Sequence, residues 1–275
     1  MNLRATILPI LSALLMLACS TIGEDERLLV VEPSGGNAPA DTSTAIVEQR
    51  RVLLEDFTGQ RCVNCPKAAA EIERLKSAYG GDTLIAVSIH GGELSFAGNA
   101  SNVGLRTDLG DTYNNYWDVK SWPKGMINRS GTLTDYEEWF TLTHAAVGLP
   151  SPVRLSVQAS RRADGDIEIA TTVEALEAVD ASLQLWLTES GIVAMQSMPD
   201  GTVNREYVHN HVLRAAVNGT WGEPLSIAQG QTATLRHTIT PADAWDAARL
   251  SIVAFVYGDR QGVLQVTEQN VTTYE

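Results

Sequence analysis

A Cys-x-x-Cys pair between a predicted strand and a predicted helix constrains the fold of this chain most. The apolar segment RVLLEDF, residues 51–57, predicts a strand, and Cys62 to Tyr79 predicts a helix because its apolar residues recur at helical spacing. TLIAVSIH, residues 83–90, predicts a second strand. A strand-helix-strand unit follows, with helices packed on a mixed sheet.

The next sixty residues predict a long insertion and a return to the sheet. One helix is predicted over residues 103–117, and a hairpin is predicted from residues 125–129 and 132–135 around Ser130-Gly131. Residues 136–147 predict a closing helix.

Two prolines in GLPSP, residues 148–152, mark a change of pattern. Beyond them about seven short segments alternate apolar and polar residues between turn signals, among them residues 206–217 as one strand. This pattern predicts an antiparallel β-sandwich. A chain of 275 residues is long enough for two such domains.

The N-terminus predicts export and lipidation. One basic residue and about a dozen apolar residues form a signal peptide over residues 1–18. The segment around Cys19 resembles a bacterial lipobox, in which that cysteine is acylated; the alternative is ordinary secretion that leaves a stray thiol. Residues 19–48 are rich in small and polar residues and predict a flexible tether. The acids at 24–26 resemble a surface-export signal, or are solvated linker charge.

The cysteine pair favours thiol-disulfide chemistry. Cys62 at a helix N-terminus has a stabilised thiolate, and Arg61 adds positive charge, so Cys62 is the candidate nucleophile. Cys65, one turn further, is the candidate resolving thiol. A structural disulfide is the main alternative, although so short a loop adds little stability. Structural zinc is disfavoured because the sequence has no second cysteine pair.

Histidines and tryptophans offer further candidates. His209 and His211 are predicted to share one face of a strand, as surface or packing residues or as an incomplete metal site. His90 ends the second predicted strand, where it is expected near the cysteines. A copper site formed by His90 and the two cysteines is kept as an alternative. The tryptophans are expected in the core, with a client-docking groove as the alternative for a cluster near residue 123. The members of that cluster are Trp117, Trp122 and Trp139.

The segment RVLLEDFTGQRCVNCPKAAAEI resembles a thioredoxin-fold active site. The resemblance implies that Asp56 is the buried acid that moves the proton of the resolving thiol; the alternative is a solvated acid at a strand end. It also implies that Pro123, before a predicted strand, is the cis-proline that shapes peptide docking. The segment departs from thioredoxin at Val63 and Asn64, which replace Gly-Pro, so the direction of the redox chemistry stays open.

Five segments together resemble the Bacteroidetes family of outer-membrane lipoproteins of twenty-eight kilodaltons. They are LLEDFTGQRCVNCP, AVSIH and WPKGMINR, followed by YVHNHVLRAAVNGTWGE with IVAFVY. The resemblance implies an α/β thioredoxin-like domain at residues 49–149, an all-β immunoglobulin-like sandwich at residues 150–275, and a lipid anchor in the outer membrane of a Gram-negative bacterium.

These observations predict a thiol-disulfide oxidoreductase or isomerase that acts on exported or envelope proteins with cysteines. The alternative is a non-enzymatic surface or scaffold lipoprotein, in which the sandwich binds a partner and the cysteine pair is a structural disulfide. The chain is expected to meet the membrane through its N-terminal lipid, and the favoured interpretation includes no cofactor and no metal. A net charge of −13 argues against nucleic acid as a partner.

Overall fold

The computed structural model describes residues 47–259 and 261–273. The predicted signal peptide, Cys19 and nearly all of the predicted tether lie outside these residues. The described chain is mostly β-structure, arranged in several sheets. Its strands are β1 (Val52–Thr58), β2 (Leu84–His90), β3 (Gly98–Asn99), β4 (Asn102–Val103), β5 (Lys124–Ile127), β6 (Val153–Arg161), β7 (Ile167–Ala175), β8 (Val179–Glu189), β9 (Ile192–Ser197), β10 (Val203–His209), β11 (Val212–Ala216), β12 (Glu223–Ile227), β13 (Thr232–Ile239), β14 (Leu250–Gly258), β15 (Gly262–Asn270) and β16 (Thr272–Thr273).

Three α-helices accompany the strands in the described residues: α1 (Cys65–Tyr79), α2 (Asp108–Tyr116) and α3 (Trp139–Ala146). Helix α1 begins three residues later than the prediction because Pro66, which has no backbone N-H to donate, occupies its first turn. Helix α2 is also shorter than predicted and begins after Thr107, whose side chain accepts a hydrogen bond from the backbone N-H of Gly110. None of these helices is long and apolar enough to cross a membrane.

The largest sheet crosses the boundary predicted at residues 148–152. Its strand order is β15-β14-β8-β11-β2-β1-β5, and β12 also pairs with β8. Strands β1 and β2 are parallel, β5 is antiparallel to β1, and β11 joins β2 where Val212 lies opposite Ser88. Residues 49–149 and 150–275, predicted as two domains, therefore share one sheet, and the described residues belong to one compact unit. The α/β domain does not stand apart as a body of its own.

A second sheet packs against part of the first. Its order is β13-β7-β6-β16. Side chains from β6 and β7 form an apolar core with side chains from β8, β12, β14 and β15. This two-layer arrangement buries alternate residues of β6 and β7, as their alternating sequence pattern requires. Strand β14 and the second half of β8 are buried on both faces. The immunoglobulin-like topology stays a prediction.

Two predicted elements of the β-rich part differ in the structure. Residues 206–217 are not one strand, because the chain turns at His211, which has a φ of 57°, and continues as β11. The predicted hairpin after residue 125 is reduced to β5 and a single bridge between Gly125 and Thr134. Strand β10 pairs with the neighbouring β9, whereas β11 pairs with β2 and β8, and β5 pairs with β1.

Strands β1 and β2 bury both faces, and each face belongs to a different core. Leu53 and Phe57 point to a core that includes Trp186 and Phe255. On the opposite face, Val52, Leu54, Leu84 and Ala86 pack beneath helix α1. That second face becomes polar towards the carboxyl ends of the strands, where its residues are Asp56, Thr58, Ser88 and His90.

Candidate functional site

The cysteines lie at the polar end of the face beneath helix α1. They form a disulfide with a Cα-Cα distance of 5.4 Å, and Cys62 and Cys65 are only 2% and 3% exposed. Cys62 lies in a turn before the helix, where its N-H donates to the carbonyl oxygen of Gly59 at 3.0 Å. The N-H of Cys65 donates to Sγ of Cys62 at 3.1 Å. This contact and the positive end of the helix dipole stabilise negative charge on Cys62.

Asp56 is buried next to this turn, and its exposed fraction is 2%. Its Oδ1 atom has no hydrogen-bond partner. Burial raises the pKa of Asp56 to about 8, and a hydrogen bond with Ser88 opposes that shift in part. The alternative of a solvated acid at the strand end is therefore wrong, and the side chain is protonated at neutral pH.

The raised pKa predicts that Asp56→Asn stabilises the oxidised protein. Between pH 3.8 and about pH 8 the folded protein keeps a proton that the unfolded chain releases. Stability therefore falls as the pH rises through this range. We expect the variant to gain about 2 to 3 kcal/mol in free energy of unfolding at neutral pH and to lose this pH dependence, as measured by urea denaturation.

Asp180→Asn is the matched control, because Asp180 is an exposed carboxylate on β8. It should change the free energy of unfolding by less than about 0.5 kcal/mol. A destabilised Asp56→Asn protein at neutral pH would contradict the assignment of Asp56 as a desolvated acid.

Pro123 lies at the same end of the sheet as the cysteines. The Trp122-Pro123 peptide bond is cis, and Pro123 is buried. Strand β5 follows directly, with Lys124 opposite Phe57 near the carboxyl end of β1. Asp56, the cysteine pair and the cis-proline, which follow one another along the chain, therefore lie at one end of the sheet.

A hairpin that the sequence analysis missed lies against the cysteine turn. It consists of β9 and β10. Nε2 of Gln196 donates to the carbonyl oxygen of Cys62 at 2.8 Å, and the N-H of Ser197 donates to the carbonyl oxygen of Gln60 at 2.8 Å. The available signal was the alternation in IVAMQS before the Asp200-Gly201 turn, but no local pattern shows where a hairpin will dock.

The hairpin also brings a histidine to the site. His209 at the end of β10 meets His90 at the end of β2, with ring centroids 5.6 Å apart. Nδ1 of His90 and Nε2 of His209 have no hydrogen-bond partner. Burial lowers the pKa of His209 to about 4 and that of His90 well below its usual value, so both rings are neutral at neutral pH.

His211 does not share a strand face with His209, and that prediction is wrong. It follows the end of β10, and its Nε2 lies 3.0 Å from Nζ of Lys76. Within residues 47–259 and 261–273 no group of three or more histidine, cysteine or acidic side chains is placed to hold a metal ion.

The three tryptophans near residue 123 do not form one cluster. Trp117 and Trp122 pack against the core that contains Phe57. Trp139 is fully buried in the other core, beneath α1. The sheet separates the two groups, so they do not form the single docking groove considered from the sequence.

These side chains surround a cavity of about 350 Å³, which we call the cysteine cavity. The sheet and helix α1 supply one part of its lining, and the hairpin supplies another. Its polar lining includes Asp56, Cys65, His90, Gln196 and His209. The cavity thus joins the carboxyl ends of β1 and β2 to a segment more than a hundred residues away in the sequence.

The structure is similar to that of HBP35 of Porphyromonas gingivalis, with a TM-score of 0.63 and 14% sequence identity. The match covers 81% of this chain and 76% of that chain, and at this identity it concerns the fold alone. A domain of the outer membrane lipoprotein Omp28 from Porphyromonas gingivalis matches with 23% identity and a TM-score of 0.33, over 46% of this chain and 92% of that chain. A comparison with curated protein sequences gives no significant match.

The family model described as outer membrane protein Omp28 matches residues 110–275, which is more than half of the chain. The match begins within helix α2 and runs through the β-rich part to the last residue. The chain therefore belongs to the Omp28 family of outer membrane proteins, which confirms the family resemblance seen in the sequence and the predicted outer-membrane location.

Proposed function

We propose that this protein catalyses thiol-disulfide exchange on exported or envelope proteins that contain cysteines. The observation that carries the proposal is the placement of a Cys-x-x-Cys pair at the start of helix α1 beside a buried acid without a partner at Oδ1. A carboxyl group desolvated in this way is costly for stability, and such groups concentrate at functional sites. In this proposal β1, α1, β2 and β5 form a thioredoxin-like unit within the larger sheet.

Each residue has one role in the proposed reaction. Cys62 attacks the disulfide of a client protein and forms a mixed disulfide, because the helix start stabilises its thiolate. Cys65 then attacks that mixed disulfide and releases the client. The ionised fraction of Asp56, which is a minority at neutral pH because its pKa is about 8, takes the proton of Cys65. Pro123 shapes the place where the client docks.

The membrane attachment is part of the proposal. Acylation of Cys19 would hold the protein on the outer membrane, since each buried methylene contributes about 0.8 kcal/mol. Residues 19–48 would then act as a flexible tether that lets the cysteine site contact clients at a distance from the membrane. The proposed client is a protein, and the proposed reaction involves no nucleic acid and no cofactor.

A second candidate is favoured by the burial of the cysteines. Both are at most 3% exposed, and the hairpin covers the turn that contains Cys62. In this candidate the disulfide is a permanent bridge in a non-enzymatic surface or scaffold lipoprotein, and the β-rich part binds a partner.

The reduction potential of the Cys62-Cys65 pair separates the two candidates. We expect a potential between about −120 and −270 mV, the range of exchange catalysts, after equilibration against glutathione buffers. The fraction oxidised is read from alkylation of free thiols and mass spectrometry. A potential below about −300 mV marks an inert structural bridge and rejects the exchange proposal.

A further inference from the structure

The cysteine cavity is lined by one cysteine of the disulfide and not by the other. Cys65 is among its lining residues, whereas Cys62 is not. The hairpin residues Tyr207 and His209 line the cavity opposite helix α1. A volume of about 350 Å³ lies at the low end of small-molecule sites, of about 300–1,000 Å³, and does not accommodate a folded client.

The cavity has hydrogen-bonding groups that nothing in the described chain satisfies. They are Oδ1 of Asp56, Nδ1 of His90 and Nε2 of His209. A polar ligand that pairs with such buried groups relieves the penalty of leaving them unpaired. Glu73 lines the cavity, and Lys76 contacts its lining residue His211. Charges of both signs therefore stand near a largely apolar cavity that contains a few unpaired polar groups, an arrangement that suits a small zwitterion.

The leaving group also favours attack at Cys65. A thiolate that attacks Sγ of Cys65 expels Cys62, the sulfur that accepts the N-H of Cys65 at 3.1 Å and precedes the helix. A thiol with a lower pKa leaves faster in disulfide exchange. The better leaving group and attack at the cysteine that lines the cavity therefore belong to the same reaction.

We infer that the cysteine cavity admits a low-molecular-weight thiol of amino-acid or small-peptide type, which reduces the disulfide by attacking Cys65. The inference rests on the proposed function in that the disulfide must be exchangeable.

The proposed reduction has two steps. The first thiolate forms a bond with Sγ of Cys65, and the Cys62-Cys65 bond breaks to leave the Cys62 thiolate. A second small thiolate attacks the sulfur of the bound molecule, which departs as a small disulfide and leaves Cys65 reduced. Two small thiols are oxidised, and the protein gains two electrons and two protons.

Two variants with a single cysteine at the site test which sulfur the small molecule reaches. Cys62→Ser leaves Cys65, and Cys65→Ser leaves Cys62. Each protein reacts in parallel with oxidised glutathione and with a maleimide that carries a long polyethylene glycol chain, and mass spectrometry follows both adducts. The ratio of the two rates cancels differences in thiolate content. We expect this ratio to be at least about tenfold higher for Cys65 than for Cys62.

A second arm keeps both cysteines and fills the cavity. Ala69→Leu places a larger side chain in the cavity lining, and Ala78→Leu is the matched control on an exposed position of the same helix. Reduction of the oxidised protein by glutathione should slow at least about fivefold in the first variant and stay unchanged in the second.

Equal rate ratios for the two cysteines, or equal reduction rates for the two leucine variants, overturn the inference. This result is distinct from failure of the proposed function. Client exchange without a preference for Cys65 rejects only the small-thiol route. A preference for Cys65 without client exchange supports this route and rejects the proposed client reaction.

Discussion

Cys62→Ser is expected to abolish exchange on protein clients, with a loss of at least about a thousandfold in rate. The reason is that the reaction needs a nucleophile which can attack the client and later leave, and serine forms no disulfide. Cys65→Ser should behave differently, because Cys62 still attacks but no thiol resolves the product. That variant should accumulate a stable mixed disulfide with the client, visible as a mass shift.

Asn64→Ser is the matched control for this substitution. Asn64 is exposed, lies between the cysteines and leaves both sulfurs in place. Its exchange rate, measured by insulin reduction or by the rescue of a scrambled client, should stay within a few-fold of the unmodified protein. Retention of exchange in the Cys62→Ser protein would remove Cys62 from the mechanism and reject the proposed function.

Arg129→Met is expected to lower the free energy of unfolding by about 3–5 kcal/mol, because it leaves Glu55 as an unpaired charge in the core. The two side chains are 4% and 0% exposed, and Nε and an η nitrogen of Arg129 lie 3.1–3.3 Å from the carboxylate oxygens of Glu55. The guanidinium also lies 4.6 to 5.2 Å from the ring centroids of three aromatic residues: Trp186, Phe255 and Tyr257. Urea denaturation measures the loss.

Two further variants identify the cause of that loss. Arg162→Met removes an arginine whose ion pair with Glu168 is about half exposed, and it should cost less than about 1 kcal/mol. Adding Glu55→Gln to Arg129→Met removes the orphaned charge and should recover part of the stability. A loss below about 1 kcal/mol for Arg129→Met would show that the buried pair does not hold the core together.

Much of the candidate site is visible in the sequence because its signals are local. The apolar runs of β1 and β2, the helical spacing in α1 and the spacing of Asp56 and the cysteines depend on residues close to one another along the chain. Pro123 lies farther along the chain and is recognised from its position before a predicted strand. The family resemblance likewise rests on short segments, because each segment can be recognised from neighbouring residues alone. The predicted start of the helix is three residues too early, because Pro66 favours the first turn of a helix and the spacing of apolar residues does not mark that boundary.

The parts that the sequence analysis missed depend on pairing between distant residues. β11 joins β2, the hairpin of β9 and β10 covers the cysteine turn, and His209 enters the cysteine cavity. An unpaired strand edge accepts any strand of suitable register, so periodicity alone does not say which partner fills it.

The sequence by itself determined the strand-helix-strand unit, the cysteine pair and the membership in an outer-membrane family. Only the tertiary structure decided that Asp56 is buried, that one sheet spans the boundary predicted at residues 148–152, and that Cys65 rather than Cys62 lines the cavity. The physical reason is that local preferences act over a few residues, whereas sheet order and cavity walls arise from hydrogen bonding and apolar burial between segments far apart in the chain.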